Sequence, residues 1–362
     1  MKNIQHTILA SVAIAACLMF STAATAGNPD RAGSAGAGQL LINPWAQSNG
    51  MAGTNMAITA GLEGSFLNAA GLAFVNQTEL RFANTQYLSG SGISLNTIGF
   101  ATSVGDGSVL GLTVMTMGFG DIPITTENLP EGGIGTFKPQ AMNFNISFAK
   151  EFTNSIAGGL NVKVISHSIS NLKAQGVAFD AGIRYTTGTK EQVKFGIALK
   201  NVGPPMRFSG DGLSIETQYV FSGQQSATNQ KVSKFELPSL VNMGASYDFH
   251  LTSDSSSSDG SHIITLGGTF TSNSFTRDQW RAGLQYAMRT KKANFFLRGG
   301  LVYEKSVFEA DLSATALTGP TGGLSVEIPT GGNGGSIGID YAFRASNPFG
   351  AIHTVGLRVD VR

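Results

Sequence analysis

The residue types with the widest chemical repertoire are few and scattered in this sequence. Five histidines (His6, His167, His250, His262, His353) stand far apart, and none has a partner at metal-ligand spacing. The single cysteine, Cys17, lies in an N-terminal apolar run. If that run is removed, no thiol nucleophile, cysteine ligand or disulfide remains. No Gly-x-Ser-x-Gly elbow occurs among the serines. The glycine tracts Gly36–Gly38 and Gly331–Gly335 do not join a strand to a helix, so a phosphate cradle is not expected. The sequence therefore predicts no catalytic residue, no metal site and no cofactor. A lipid-modifying hydrolase stays open as an alternative, because groups carried on separate strands need no local motif. What does recur is charge at alternate positions: Asp180, Arg184, Lys194, Lys200, Arg281, Arg289, Arg298, Asp340, Arg344, Arg358 and Asp360. Mixed signs in that pattern suit ion pairs on one face of a sheet.

The elements carrying those charges read as strands. In Ser336–Arg344, Ile337, Ile339, Tyr341 and Phe343 fall on one face, while Gly338, Asp340 and Arg344 fall on the other. Val193, Phe195, Ile197 and Leu199 oppose Lys194 and Lys200; Val355, Leu357, Val359 and Val361 oppose Arg358 and Asp360. Such alternation means one apolar and one polar face. About fourteen segments of this kind run from Thr78 to Arg362, roughly 10–13 residues each, whereas strands of soluble proteins are typically about 5–6. They are expected at Thr78–Leu88, Ile93–Thr102, Ser108–Met117, Ala141–Lys150, Ser155–His167, Ala174–Thr186, Gln192–Val202, Ser233–Phe249, His262–Thr271, Gln279–Thr290, Asn294–Glu304, Gly323–Ile328, Ser336–Arg344 and Ile352–Arg362. Trp280, Tyr286, Tyr303 and Phe343 sit at segment ends, as interfacial girdles require.

Short, turn-rich links (Gly105–Gly107, Glu151–Asn154, Thr187–Thr189, Lys291–Lys292) alternate with long ones (Gly118–Gln140, Gly203–Val232, Ser306–Gly322). Ser253–Ser261 is too long for that rule and reads as a solvated turn. Length, number and alternation together predict an all-β fold, a transmembrane outer-membrane barrel of about 14 antiparallel strands. Its apolar faces would meet lipid and the charges above would line the lumen.

Composition agrees. The 362 residues include 47 glycines and 23 phenylalanines, are 13% charged and carry a net charge of +1. A nearly neutral chain without a basic helix face is not a nucleic-acid binder. Lys2, the apolar run Thr7–Phe20 and Ala24-Thr25-Ala26 predict a cleavable signal peptide over residues 1–26. Ile14-Ala15-Ala16-Cys17 is a rival lipoprotein box, but the apolar run continues past it through Phe20. No later apolar stretch is long enough for a transmembrane helix.

Residues 27–77 are of a different kind, small and asparagine-rich, with a short helix expected at Ser65–Phe74 capped by Ser65. Met56–Thr59 could add a short strand. A barrel of about fourteen strands encloses more space than its own side chains fill, since roughly eight already fill theirs. Ala32–Phe74 is the natural filler, a plug whose Asn43, Asn49, Asn55 and Asn68 could bond the charged wall. Residues 78–362 would then form the barrel.

Ser48–Ala57 (SNGMAGTNMA) followed by Phe66–Phe74 (FLNAAGLAF) resembles the start of the PorV/PorQ family of outer-membrane proteins, which is related to the FadL long-chain fatty-acid transporters. Gly50, Met51 and Gly53, then Asn68, Gly71 and Leu72, stand where that family has its plug motif. GVAFDAGIRY at Gly176–Tyr185, Lys194–Leu213 and Phe235–Tyr247 resemble its later strands. Ala69 replaces the family's proline, and Arg362 stands where an aromatic residue is common. The resemblance implies a FadL-like barrel in the outer membrane, in contact with its lipid, that binds secreted cargo or the type IX secretion translocon. The cargo would be recognised through its C-terminal signal domain. A FadL-like transporter of long-chain fatty acids or other hydrophobic molecules is the alternative. A conduit needs an apolar lumen or a lateral opening, whereas this inner face is charged, so docking is the expectation. Its anchors would be loop residues Phe119, Ile122, Phe137, Met206, Phe208, Tyr219 and Phe221.

Overall fold

A computed structural model describes residues 27–218, 225–251, 260–307, 317, 319–330, 335–346 and 350–361. The expected signal peptide, Tyr219, Phe221 and most of the Ser253–Ser261 turn lie outside the described residues. Fifteen strands hydrogen-bond in one sheet. Two-residue Phe208–Ser209 is an appendage on its rim. The others are β1 Thr78–Tyr87, β2 Ile93–Gly105, β3 Ser108–Gly118, β4 Gln140–Thr153, β5 Ile156–Ile169, β6 Leu172–Thr187, β7 Val193–Val202, β8 Leu240–His250, β9 Ser261–Asn273, β10 Gln279–Arg289, β11 Asn294–Glu304, β12 Pro320–Thr330, β13 Gly335–Ser346 and β14 Gly350–Val361. Each pairs antiparallel with its neighbours in sequence, and β1 pairs with β14 from Thr78↔Val361 to Gln86↔His353. The result is a closed barrel of fourteen antiparallel strands with no free sheet edge.

Alternation sets the two faces. On β13, Ile337, Ile339, Tyr341 and Phe343 point out, and Ile339 is 60% exposed; on β6, Ile183 is 59% exposed. A belt of this kind running right around the barrel is far larger than the apolar patches that soluble monomers show. Such a belt suits a lipid bilayer, and ring closure satisfies the backbone. Trp280, Tyr303 and Phe343 belong to this outer face.

Three departures from the expected elements have physical causes. The strand expected at Ser233–Phe249 begins only at Leu240. Phe235 is held by Met206 and Glu236 by Ala35, and Pro238 has no N–H for a ladder. The side with long connections also has very short ones, such as the turn between Ile169 and Leu172. In the N-terminal segment, Met56–Thr59 forms no strand; Thr54–Ala57 is a 3-10 turn. The Ser65–Phe74 helix is two pieces, Gly64–Leu67 and Ala69–Phe74, interrupted by extended Asn68. Asn68, rather than Ser65, caps the second piece by accepting from Ala70 N, while the Ser65 hydroxyl donates to Leu62 O at 2.6 Å.

Candidate functional site

The N-terminal segment lies inside the ring as a chain of short turns, and each turn takes its own arc of wall. Gly61–Glu63 meets β1 and β2, Ala69–Phe74 meets β3 to β6, Thr54–Ala57 meets β7 to β10, and Ala46–Gly50 meets β11 to β14. Every barrel strand is therefore in contact with it. Trp45, Leu62, Phe66 and Leu72 pack with Leu95, Ala101 and Met115 of the wall in one buried cluster. Backbone meets backbone where both sides lack side chains. A Cβ built on Gly50 would lie 2.8 Å from Gly323 Cα, and one on Gly159 would lie 2.4 Å from the Ala69 carbonyl carbon. The motif residues serve this fit. Met51 and Leu72 are fully buried, Gly53 turns the chain at φ 76°, and Gly71 faces the Thr59 carbonyl.

The four asparagines do not reach charged wall groups. Asn49 donates to Thr354 Oγ1 at 3.1 Å, and Asn68 donates to the Ile183 carbonyl at 3.1 Å. Asn55 bonds Ser48 and Glu63, and Asn43 accepts from Trp45 N. The charged contact is made instead by Glu63, the only charged residue between Ala32 and Phe74. It accepts from Arg81 of β1 at 3.1 Å and from the Ser48 hydroxyl. Arg81 also pairs with Glu79 at 2.8 Å, lies over the Trp45 ring, and is 3% exposed. Two signals could have found this cluster: a solitary acid in a neutral segment, and Glu79 and Arg81 alternating with Leu80 and Phe82.

Of the eleven charges expected in the lumen, Asp180, Arg184, Lys200, Arg298 and Asp340 are buried, and Lys194, Arg281, Arg344, Arg358 and Asp360 are partly buried, all on the inner face. Arg289 is the exception; at the end of β10 it is exposed at the rim. Pairing is partial. Lys194 pairs with Asp248, and Arg358 with Glu327 and Asp360. Asp180 pairs with Lys163 at 2.5 Å. Asp340 accepts from Gln47 of the plug at 3.0 Å. Four arginines instead use neutral acceptors: Arg184 the Thr59 carbonyl, Arg281 Gln279, Arg298 Gln285 and Ser325, and Arg344 the Leu317 carbonyl.

One local irregularity shapes this wall. Strict alternation would turn Asn201 outward, but the β6–β7 register shifts between Phe179↔Val202 and Ala181↔Leu199. Lys200 and Asn201 both point inward, Asn201 with φ 58°. Bulges re-aim side chains in this way. Asn201 N then donates to Asp180 Oδ1 at 2.7 Å, and Lys163 donates to Asn201 Oδ1 at 2.8 Å.

Across β4 to β7 the outer face holds an apolar recess of about 560 Å³. Phe148, Phe152, Leu160, Ile183, Phe195 and Ile197 form its sides, and Gly158 and Ala181 its floor. Behind that floor the inner positions are Gly159, Gly182 and Gly196, which abut Asn68, Ala69 and Met56 of the plug. The wall here is one backbone layer thick between the outer face and the plug.

The docking residues divide. Phe119 and Ile122 are exposed, and Ile122 pairs with Phe137, which is half-buried. Met206 is 2% exposed and packs with Leu40, Ile165 and Leu237, so it is no anchor. Its backbone is clipped to Phe235, which also holds the half-buried Phe208 ring at 5.7 Å. These residues pack over Ala37 and Leu40 of the plug at the long-loop end.

The sequence matches no protein-family model and no curated protein. Solved structures do match. The toluene transporter TodX of Pseudomonas putida superposes with TM-score 0.51 at 10% identity, over 88% of this chain and 97% of that one. The toluene transporter TbuX of Ralstonia pickettii gives 0.50 at 13% identity over 88% and 97%. A FadL homologue of Pseudomonas aeruginosa gives 0.50 at 10% identity over 87% and 96%. At such identities the likeness is one of architecture: this chain has the fold of the FadL-like outer-membrane barrels.

Proposed function

We propose that this chain is an outer-membrane channel for small hydrophobic molecules, which leave or join the lipid at the recess across β4 to β7. The observation that carries the reading is that recess, an apolar hollow whose glycine-backed floor separates lipid from plug by a single backbone layer. Of its lining residues only Lys150 is charged, in contrast to the inner face. Neighbours of the same fold described as toluene transporters support the reading. Residues 27–77 act in it as the plug and 78–362 as the wall. The test is uptake of radiolabelled toluene by intact cells of a host lacking its own hydrocarbon channel. Expression should raise uptake above the empty vector, and Ala181→Trp, which fills the recess from outside, should return it to background. Folding of both proteins is checked by their gel migration before and after boiling. Wild-type uptake equal to vector would end this reading.

A second reading, docking of secreted cargo or of the type IX translocon, is favoured by one observation. The hairpin joining Ile122–Pro123 to Thr136–Phe137 exposes Phe119, Ile122, Ile124 and Leu129 together on the long-loop side. Buried apolar anchors supply most interface energy, and these are available. Affinity purification from native membranes tests it: recovery of the translocon or of proteins with a C-terminal signal domain would favour docking over conduction.

A further inference from the structure

We propose that a second cavity, inside the barrel on the long-loop side of the plug, binds a small organic carboxylate. This goes beyond conduction, because binding there needs no passage through the wall. The cavity measures about 200 Å³ and is lined by Lys200, Arg281 and Arg344, with Asn43 from the plug and the apolar Leu67 and Leu240. No described residue lining it is acidic.

Its hydrogen-bonding balance is one-sided. Arg281 donates through Nη2 to Gln279 at 2.8 Å and Arg344 through Nη2 to the Leu317 carbonyl, but the Nε of each has no partner. Asn43 Nδ2 is likewise buried without an acceptor. Lys200 is 8% exposed and has no hydrogen-bonded acceptor among the described residues. Asp180 attracts it, but both Asp180 oxygens are engaged, one by Asn201 N and the other by Lys163. Arg281 and Lys163 repel it.

Buried cations without partners are strongly unfavourable, and desolvated N–H groups are rarely left unmatched. Four donors and no acidic side chain among the described lining residues make a socket for an anion, which would accept from several at once; Glu304, which accepts from Gln279, attracts Arg281 from outside the lining. Alternation along β7 turns Lys200 into it, while the bulge turns in Asn201, which engages Asp180 and Lys163. Leu67 and Leu240 add an apolar wall, and the small volume limits the ligand to a short body on its acidic group. A benzoate-sized carboxylate meets both conditions, and a long acyl chain does not fit.

The test uses full-length protein refolded from urea into detergent, so that no cellular ligand is carried over. Benzoate and its neutral counterpart benzamide are titrated by calorimetry. Benzoate should bind at least tenfold more tightly than benzamide, since hydrogen bonds between two charged groups are roughly twice as strong as neutral ones. Lys200→Met and Arg344→Gln should each weaken benzoate about tenfold or more. Lys138→Gln, on an exposed loop, should change nothing. Migration before and after boiling identifies any variant that has not folded. Equal binding of benzoate and benzamide, undetectable benzoate binding by folded wild type, or unchanged affinity in folded Lys200→Met would each overturn the proposal. The Ala181→Trp protein should still bind benzoate, so failure of the socket and failure of the lipid-side route are read separately.

Discussion

Glu63 and Arg81 show how much one side chain can hold. Both are nearly inaccessible, and Arg81 stands between two carboxylates. Removing one partner of a buried pair leaves an uncompensated charge, at about 3–5 kcal/mol. Arg81→Met should therefore lower stability by about that amount. The measurement is the urea midpoint of the transition from the folded to the unfolded gel band. Glu63→Gln keeps a group able to bond Ser48, and Arg81 keeps Glu79, so its loss should be clearly smaller. Equal losses would mean that Glu79 alone does not compensate Arg81. The acids and bases of the wall were legible in the sequence because they alternate with apolar residues. Asn201 was not, because a bulge breaks the alternation without changing composition. Nor was Met206, whose apolar character in a long loop suits an anchor and a buried cap equally well.

The strands were the most legible elements, since an outward face that must meet lipid and an inward face that must not leave a strong period-two imprint. Ile339 lies near the middle of β13 and faces outward. Ile339→Arg should destabilise the barrel by about 2–4 kcal/mol, and the same change at a strand end by about 1 or less. Urea titration of the two variants in lipid vesicles compares them. The plug was legible as a segment but not in its parts. Its turns are too short for helical periodicity, and its shape is dictated by the wall. The measurable consequence is electrical: the wild type should conduct ions poorly in a planar bilayer, and deletion of residues 33–74 should open a stable conductance. A large conductance from intact protein would contradict a filled lumen.

At the scale of the whole molecule, closure was legible from the number of strands and the absence of any other way to satisfy their edges. Heat-modifiable migration on a denaturing gel follows, with the unboiled band running apart from the boiled one. Function was less legible. Charges on the inner face pointed away from a conduit, whereas the apolar recess lies on the outer face, assembled from four strands that no local pattern links. The arcs taken by the plug also bear on how the ring is made. Thirteen of its fourteen seams join consecutive strands, and the last joins the two ends of the barrel chain, β1 and β14. Ala46–Gly50 grips β11 to β14 while Gly61–Glu63 grips β1 and β2, so the segment spans that final seam from inside. It then works as a mandrel. A chain made without it would still zip its hairpins and close, but would meet its own first strand late, so its insertion should pass through a longer-lived open, protease-sensitive sheet.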